Sequence, residues 1–144
     1  MASKYFTRAL GLINPTVLTG DIRAVLVMTN TTADTEVDTE FMSGFTTLDE
    51  MDGVGYARVA LAAEAFAVDL VNDRWEFAAS PFTFAAVSAG TRQVQGLLLY
   101  LHVTNDADSK PLMYIDGTGF PFTANGEDIV CTPSAEGIAQ YRNA

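Results

Sequence analysis

Cysteine is nearly missing from this chain: Cys131 is the only one. No intrachain disulfide can form, and no cysteine-rich zinc site can be built. Such a chain suits a reducing compartment. Histidine also occurs once, as His102 in "LLLYLHVT". Basic residues number eight against eighteen acids, for a net charge of −10. They are scattered as Lys4, Arg8, Arg23, Arg58, Arg74, Arg92, Lys110 and Arg142. Binding to the phosphate backbone needs clustered Lys and Arg, so no nucleic-acid partner is expected. An anionic membrane surface is disfavoured on the same ground. Long hydrophobic runs are missing too. The longest, "GLLLYLHV" from Gly96 to Val103, is far too short to span a bilayer. The opening "MASKYFTRALGLINP" is broken by Arg8 and Gly11 and does not read as a signal peptide.

The 144 residues point to one domain, residues 1–144, and a chain of this size can bury about 68–70% of its unfolded surface. Hydrophobic residues make up 49% and charged residues 18%. That excess fits either a well-filled core or a surface covered by a partner.

The pattern is that of short strands. Lys4 to Ile13 place Tyr5, Phe6, Ala9, Leu10 and Ile13 at spacings of three and four, which predicts a short amphipathic helix ended by Asn14-Pro15. "IRAVLVM", Ile22 to Met28, reads as a buried strand. "TEFMSGFTTLDEM" predicts one short loop helix, with Phe41, Met42 and Phe45 as its apolar side. "YARVALAAEAF" and "AVDLV" read as two strands, although the alanines leave a helix open for Ala60 to Phe66. Asn72-Asp73 marks a hairpin turn before Trp75 and Phe77. "PFTFAAV", "QVQGLLLYLHVT", "PLMYID", "FPFTA", "EDIVCT" and "EGIAQYR" follow, each bounded by turn residues. Pro121 marks "FPFTA" as an edge strand, because proline cannot donate to a central ladder. Strands at this spacing predict an all-β fold, a mainly antiparallel sandwich or barrel, with the two short helices as minor parts.

The stretch "TADTEVDTEF", Thr32 to Phe41, sets Asp34, Glu36, Asp38 and Glu40 at alternate positions. On an extended strand all four would project one way. Calcium wants about six or more oxygens from a curled loop, and the glycine of an EF-hand loop is lacking. These four residues are the one calcium candidate; the competing reading is a solvated surface or a charge-guarded strand edge. Carboxylate pairs from Asp49, Glu50, Asp52, Glu64 or Asp69 carry no signal, since eighteen acids supply pairs by chance. No nucleophile elbow accompanies His102, and "GTGF" at Gly117 to Phe120 reads as a turn rather than a phosphate loop. Trp75, Phe77, Phe82 and Phe84 read as core. Cys131 reads as a small core residue. No catalytic residue, resident metal or cofactor is assigned, and no enzyme activity is expected.

The order of segments resembles a group of small virion structural proteins of tailed bacteriophages, of the head auxiliary (decoration or cement) type. The likeness runs over nearly the whole chain, and its best marks are "GYARVAL", "LLLYLH" with "MYID", and "TANGEDI". The alanine-rich "LAAEAFAVDL" is less typical of that group. The resemblance implies a chain made in the host cytoplasm and carried in the virion. It implies binding to the outside of the capsid, with the major capsid protein as partner, and a homo-oligomer such as a trimer. It also makes residues 1–18 a candidate docking arm, with Tyr5, Phe6, Leu10 and Ile13 at the interface. The competing view is that this segment caps its own domain. Two other classes fit the pattern: a tail or neck component, and a glycan-binding β-sandwich with Trp75 beside Asp73 and Glu76.

Overall fold

A computed structural model describes residues 4–6 and 20–142 of the chain. Ten strands follow one another: β1 (Lys4–Tyr5), β2 (Ile22–Met28), β3 (Val59–Ala60), β4 (Ala65–Asp69), β5 (Arg74–Ala78), β6 (Phe82–Phe84), β7 (Val94–Leu101), β8 (Lys110–Ile115), β9 (Ile129–Cys131) and β10 (Ala139–Arg142). Every pairing between them is antiparallel. They form a five-stranded sheet in the order β1-β8-β7-β2-β3, a three-stranded sheet β10-β5-β4 and a two-stranded sheet β6-β9. The sheets are open, so the fold is all-β without a closed barrel.

The centre of the large sheet is built from the two most apolar segments. "IRAVLVM" pairs with "VQGLLLYL" from Ile22↔Leu101 to Met28↔Val94. Both strands are buried along nearly their whole length, on both faces. Continuous aliphatic runs of this kind are what a strand covered on both faces requires. Gly96 is there because Tyr114 crosses over it: a Cβ at Gly96 would lie 2.6 Å from the Tyr114 hydroxyl.

The chain departs from the helical reading at its start. Lys4 and Tyr5 are a strand paired with Tyr114 and Met113. Phe6 is buried and meets the Phe45 ring edge-on at 5.5 Å. The open edge of β8 and a place in the core for Phe6 override the three-and-four spacing, as tertiary context commonly does. Leu10 and Ile13 lie outside the described residues. The loop helix shrinks to one 3-10 turn, Met42–Gly44, which still buries Met42 and Phe45.

Three other segments settle differently from their patterns. The alanines of "LAAEAFAV" form no helix, and Ala63 has a positive φ of 53°. "FPFTA" is not a strand: Phe122 makes a single bridge with Val94 after a cis Phe120–Pro121 bond. Trp75 is not core. It is 44% exposed, while Phe77, Phe82 and Phe84 are buried.

Candidate functional site

The acidic segment does not behave as an extended strand. Thr35 and Glu36 donate their amides to the Thr32 carbonyl, and Thr39 donates to the Glu36 carbonyl. These turns break the alternation that would align the four acids. Glu36 folds inward and accepts from the Thr32 hydroxyl at 2.7 Å and the Thr46 amide at 2.8 Å. The bonds from Thr46 and Thr32 lower its carboxyl below the usual range. Glu36 is thus a staple across the loop. Among the described residues, no group of three or more potential metal ligands comes together. Asp38 and Glu40 are exposed, and Asp34 is half-buried.

Two arginines organise clusters that the sequence did not announce. Arg58 donates to Glu50 at 2.7 and 2.8 Å and to Asp106 at 2.8 Å, and also reaches the Tyr100 hydroxyl at 3.2 Å. Tyr56 donates to the same Glu50 at 3.0 Å. The bond from Arg58 holds Asp106 below its ordinary range. The cluster ties the 50s to the loop after β7. Its members are committed to one another, and the arrangement is structural.

Arg74 is more deeply set, its side chain 5% exposed. Its guanidinium lies 2.6 Å from Glu76, 3.2 Å from Asp69 and 3.4 Å from Glu136, with Gln140 at 3.2 Å. A cation this desolvated needs such partners, because an uncompensated buried charge is strongly unfavourable. Glu136 and Gln140 come from sixty and more residues away, which is why no local motif marks the cluster.

Trp75, next in the chain, points the other way. Alternation along β5 puts Arg74 and Glu76 on one face and Trp75 and Phe77 on the opposite one. Register then assembles an apolar face: Phe66 stands opposite Phe77, and Val68 opposite Trp75. The Phe66 ring sits 5.5 Å from Trp75 and 6.3 Å from Phe77. This face is buried at its inner end, where Phe77 joins the core, and uncovered at its outer end. Val68 is 49% exposed there. The hairpin loop beyond it carries Leu70 and Val71, 82% and 91% exposed. The loop itself is well made: the Asp69 carboxylate accepts from the Val71 and Asn72 amides, and Asp73 takes a positive φ of 50°. A firmly capped turn therefore holds large apolar side chains in solvent.

A groove of about 260 Å³ at this end is lined by Val68, Asp69, Leu70, Asp73, Trp75 and others. A larger one, about 430 Å³, is lined by Leu97, Leu99, Ile115, Ile129, Cys131 and Ile138, among others. Burial pushes the Cys131 thiol up to about 11. His102 follows β7 directly, half-buried, with its ring edge-on to Tyr100 at 6.2 Å.

The outer face of the β4–β5 hairpin is the candidate functional surface. No family model matches the chain, and neither a characterised protein nor a solved structure is similar to it. The reading of this surface rests on its own chemistry. Of the interface residues expected from the N-terminal segment, Tyr5 lies in β1 and Phe6 is in the core. The sequence pattern reads Trp75 as core with Phe77, but it is 44% exposed. The available signal was "DLVND", an unbroken apolar pair directly before a turn.

Proposed function

We propose that the chain is a non-enzymatic structural protein that attaches to the outside of a bacteriophage capsid and stabilises the assembled shell. One observation carries the docking part of this reading. Val68, Leu70 and Trp75 line one groove, and Val71 stands exposed in the same hairpin loop, on a chain of net charge −10. Large exposed apolar patches rimmed by polar residues mark protein contact sites, and Trp is enriched at the energetic centre of such contacts. The likeness of "GYARVAL", "MYID" and "TANGEDI" to head auxiliary proteins supplies the capsid as partner. A ligand that binds only the assembled form stabilises it by mass action. The acidic remainder would then face solvent or a basic patch of the shell, with the β-sandwich packing expected for that class.

The test is co-sedimentation with assembled shells that lack the chain. Wild-type protein should pellet with shells and raise their melting temperature, and Leu70→Asp/Val71→Asp should do neither. Equal binding by both proteins would sink the hairpin as the contact.

A second reading is favoured by the exposure of Trp75 beside Asp69 and Asp73 in one groove. An exposed indole flanked by carboxylates can stack on a sugar ring, which is the chemistry of a glycan-binding module. Glycan-array binding abolished by Trp75→Ala, without loss of shell binding, would favour it.

A further inference from the structure

We infer that the chain self-associates through the free edge of β4, two copies pairing antiparallel about Ala67 to join their three-stranded sheets into one of six strands. β4 is an outer strand of its sheet. An open edge presents unpaired amides and carbonyls, and proteins usually blunt it with a short strand, a Lys, a Pro or a bulge. Among the described residues, the other sheet edges are shorter or end in a base. β1 and β3 have two residues each, β6 and β9 have three each, and β10 ends in Arg142. β4 has five residues, "AFAVD", with no Pro, no Lys and an unbroken register against β5.

The occupant is a second copy because β4 is uncharged and apolar where two copies would meet. The molecule as a whole carries −10, so copies repel one another over most of their surface. From Ala65 to Val68 the edge is uncharged, and Asp69 lies 3.2 Å from Arg74, which it shares with Glu76 and Glu136. Pairing about Ala67 sets each Asp69 opposite the other copy's Ala65. The two carboxylates then stand four residues apart along the strand, roughly 13 Å at ~3.3 Å per residue. That exceeds the screening length of about 8 Å at physiological salt. The same register sets Phe66 opposite the other copy's Val68, so the two apolar faces meet side by side. Contact through alternate side chains and main-chain bonds is the β-augmentation mode of recognition. Edge pairing leaves the Val68–Trp75 face outward, doubled in width. The inference is independent of the capsid reading: a monomer that binds shells would sink only the pairing, and a dimer that does not bind shells would sink only the docking.

The experiment is light scattering of the full chain across a micromolar to hundred-micromolar range, beside Ala67→Lys and Ala67→Ser. Ala67 is exposed, and Lys there would put two like charges directly opposite each other at the dyad. The expected result is a wild-type mass approaching twice 15.5 kDa. Ala67→Ser should dimerise like wild type, and Ala67→Lys should weaken dimerisation by roughly tenfold or more. Hydrogen exchange on the wild-type protein gives a second readout: amides of 65–69 should gain protection as concentration rises, whether or not the Lys variant folds. A wild-type monomer throughout the range, a trimer, an association untouched by Ala67→Lys, or concentration-independent exchange at 65–69 would each overturn the inference.

Discussion

Val68 and Trp75 face each other across the β4–β5 ladder, and both are about half exposed. In a hairpin whose inner pair, Phe66 and Phe77, is drawn into the core, this outer pair has no covering layer among the described residues. Truncation should therefore separate binding from folding. Trp75→Ala loses its ring contact with Phe66 and its cross-strand packing on Val68 but leaves the buried Phe77 in place, so a thermal melt should show a cost of about 1–2 kcal/mol without loss of the fold. The same variant should lose shell binding. A globally unfolded Trp75→Ala protein would mean that the ring is needed for the fold.

The opposite behaviour is expected at Gly96. A methyl group there would enter the Tyr114 ring, whose atoms stand 2.6–2.7 Å from the site of the new Cβ. Tyr114 is fully buried on β8 and has no room to yield. Gly96→Ala should destabilise the protein by about 1–3 kcal/mol, the usual cost of overpacking. Denaturant unfolding would measure it, and a neutral result would contradict the packing described for β7 and β8.

Calcium should leave the melting temperature unchanged. The turns at Thr32 and Glu36 scatter the acids of "TADTEVDTEF", and Glu36 is already spent on Thr32 and Thr46. Glu36→Ala should lower the melting temperature with or without the ion. A large rise on adding calcium, lost in Asp34→Asn/Asp38→Asn, would restore the site.

Stability should fall in acid. Asp106 is held low by its bond from Arg58, Asp52 by bonds from Thr91, and Glu36 by Thr46 and Thr32. Each folded value lies below the ordinary 3.8 for Asp or 4.5 for Glu. As pH drops, the unfolded chain therefore takes up protons first. These contributions are full above the ordinary values and disappear as pH falls through the folded ones. Melts between neutral pH and pH 3 should show the loss beginning around the ordinary carboxylate range, with a shallower slope in Arg58→Ala. A stability that rises in acid would contradict the network.

The strands that build the centre were legible because their signal is local. "IRAVLVM" is a strand from its first residue to its last, and the five consecutive apolar residues Ala24 to Met28 within it call for cover on both faces. Burial at a sheet's outer end is a different kind of fact. Trp75 and Phe77 alternate identically with Glu76, yet one is exposed and one is core, because only the tertiary arrangement decides where the covering layer stops. Arg74 and Arg58 were equally silent, for Glu136 and Asp106 reach them from distant segments. The N-terminal spacing misled because three-and-four periodicity does not say whether an open strand edge lies within reach.

Attachment to a capsid is the central proposal. Its most direct test is the copy number of this chain in purified virions relative to the major capsid protein, by quantitative mass spectrometry. A ratio near one-to-one, or a simple fraction of it, is the result expected of a protein that decorates the shell. A few copies per particle would place it in the tail or neck, and absence from particles would contradict the account.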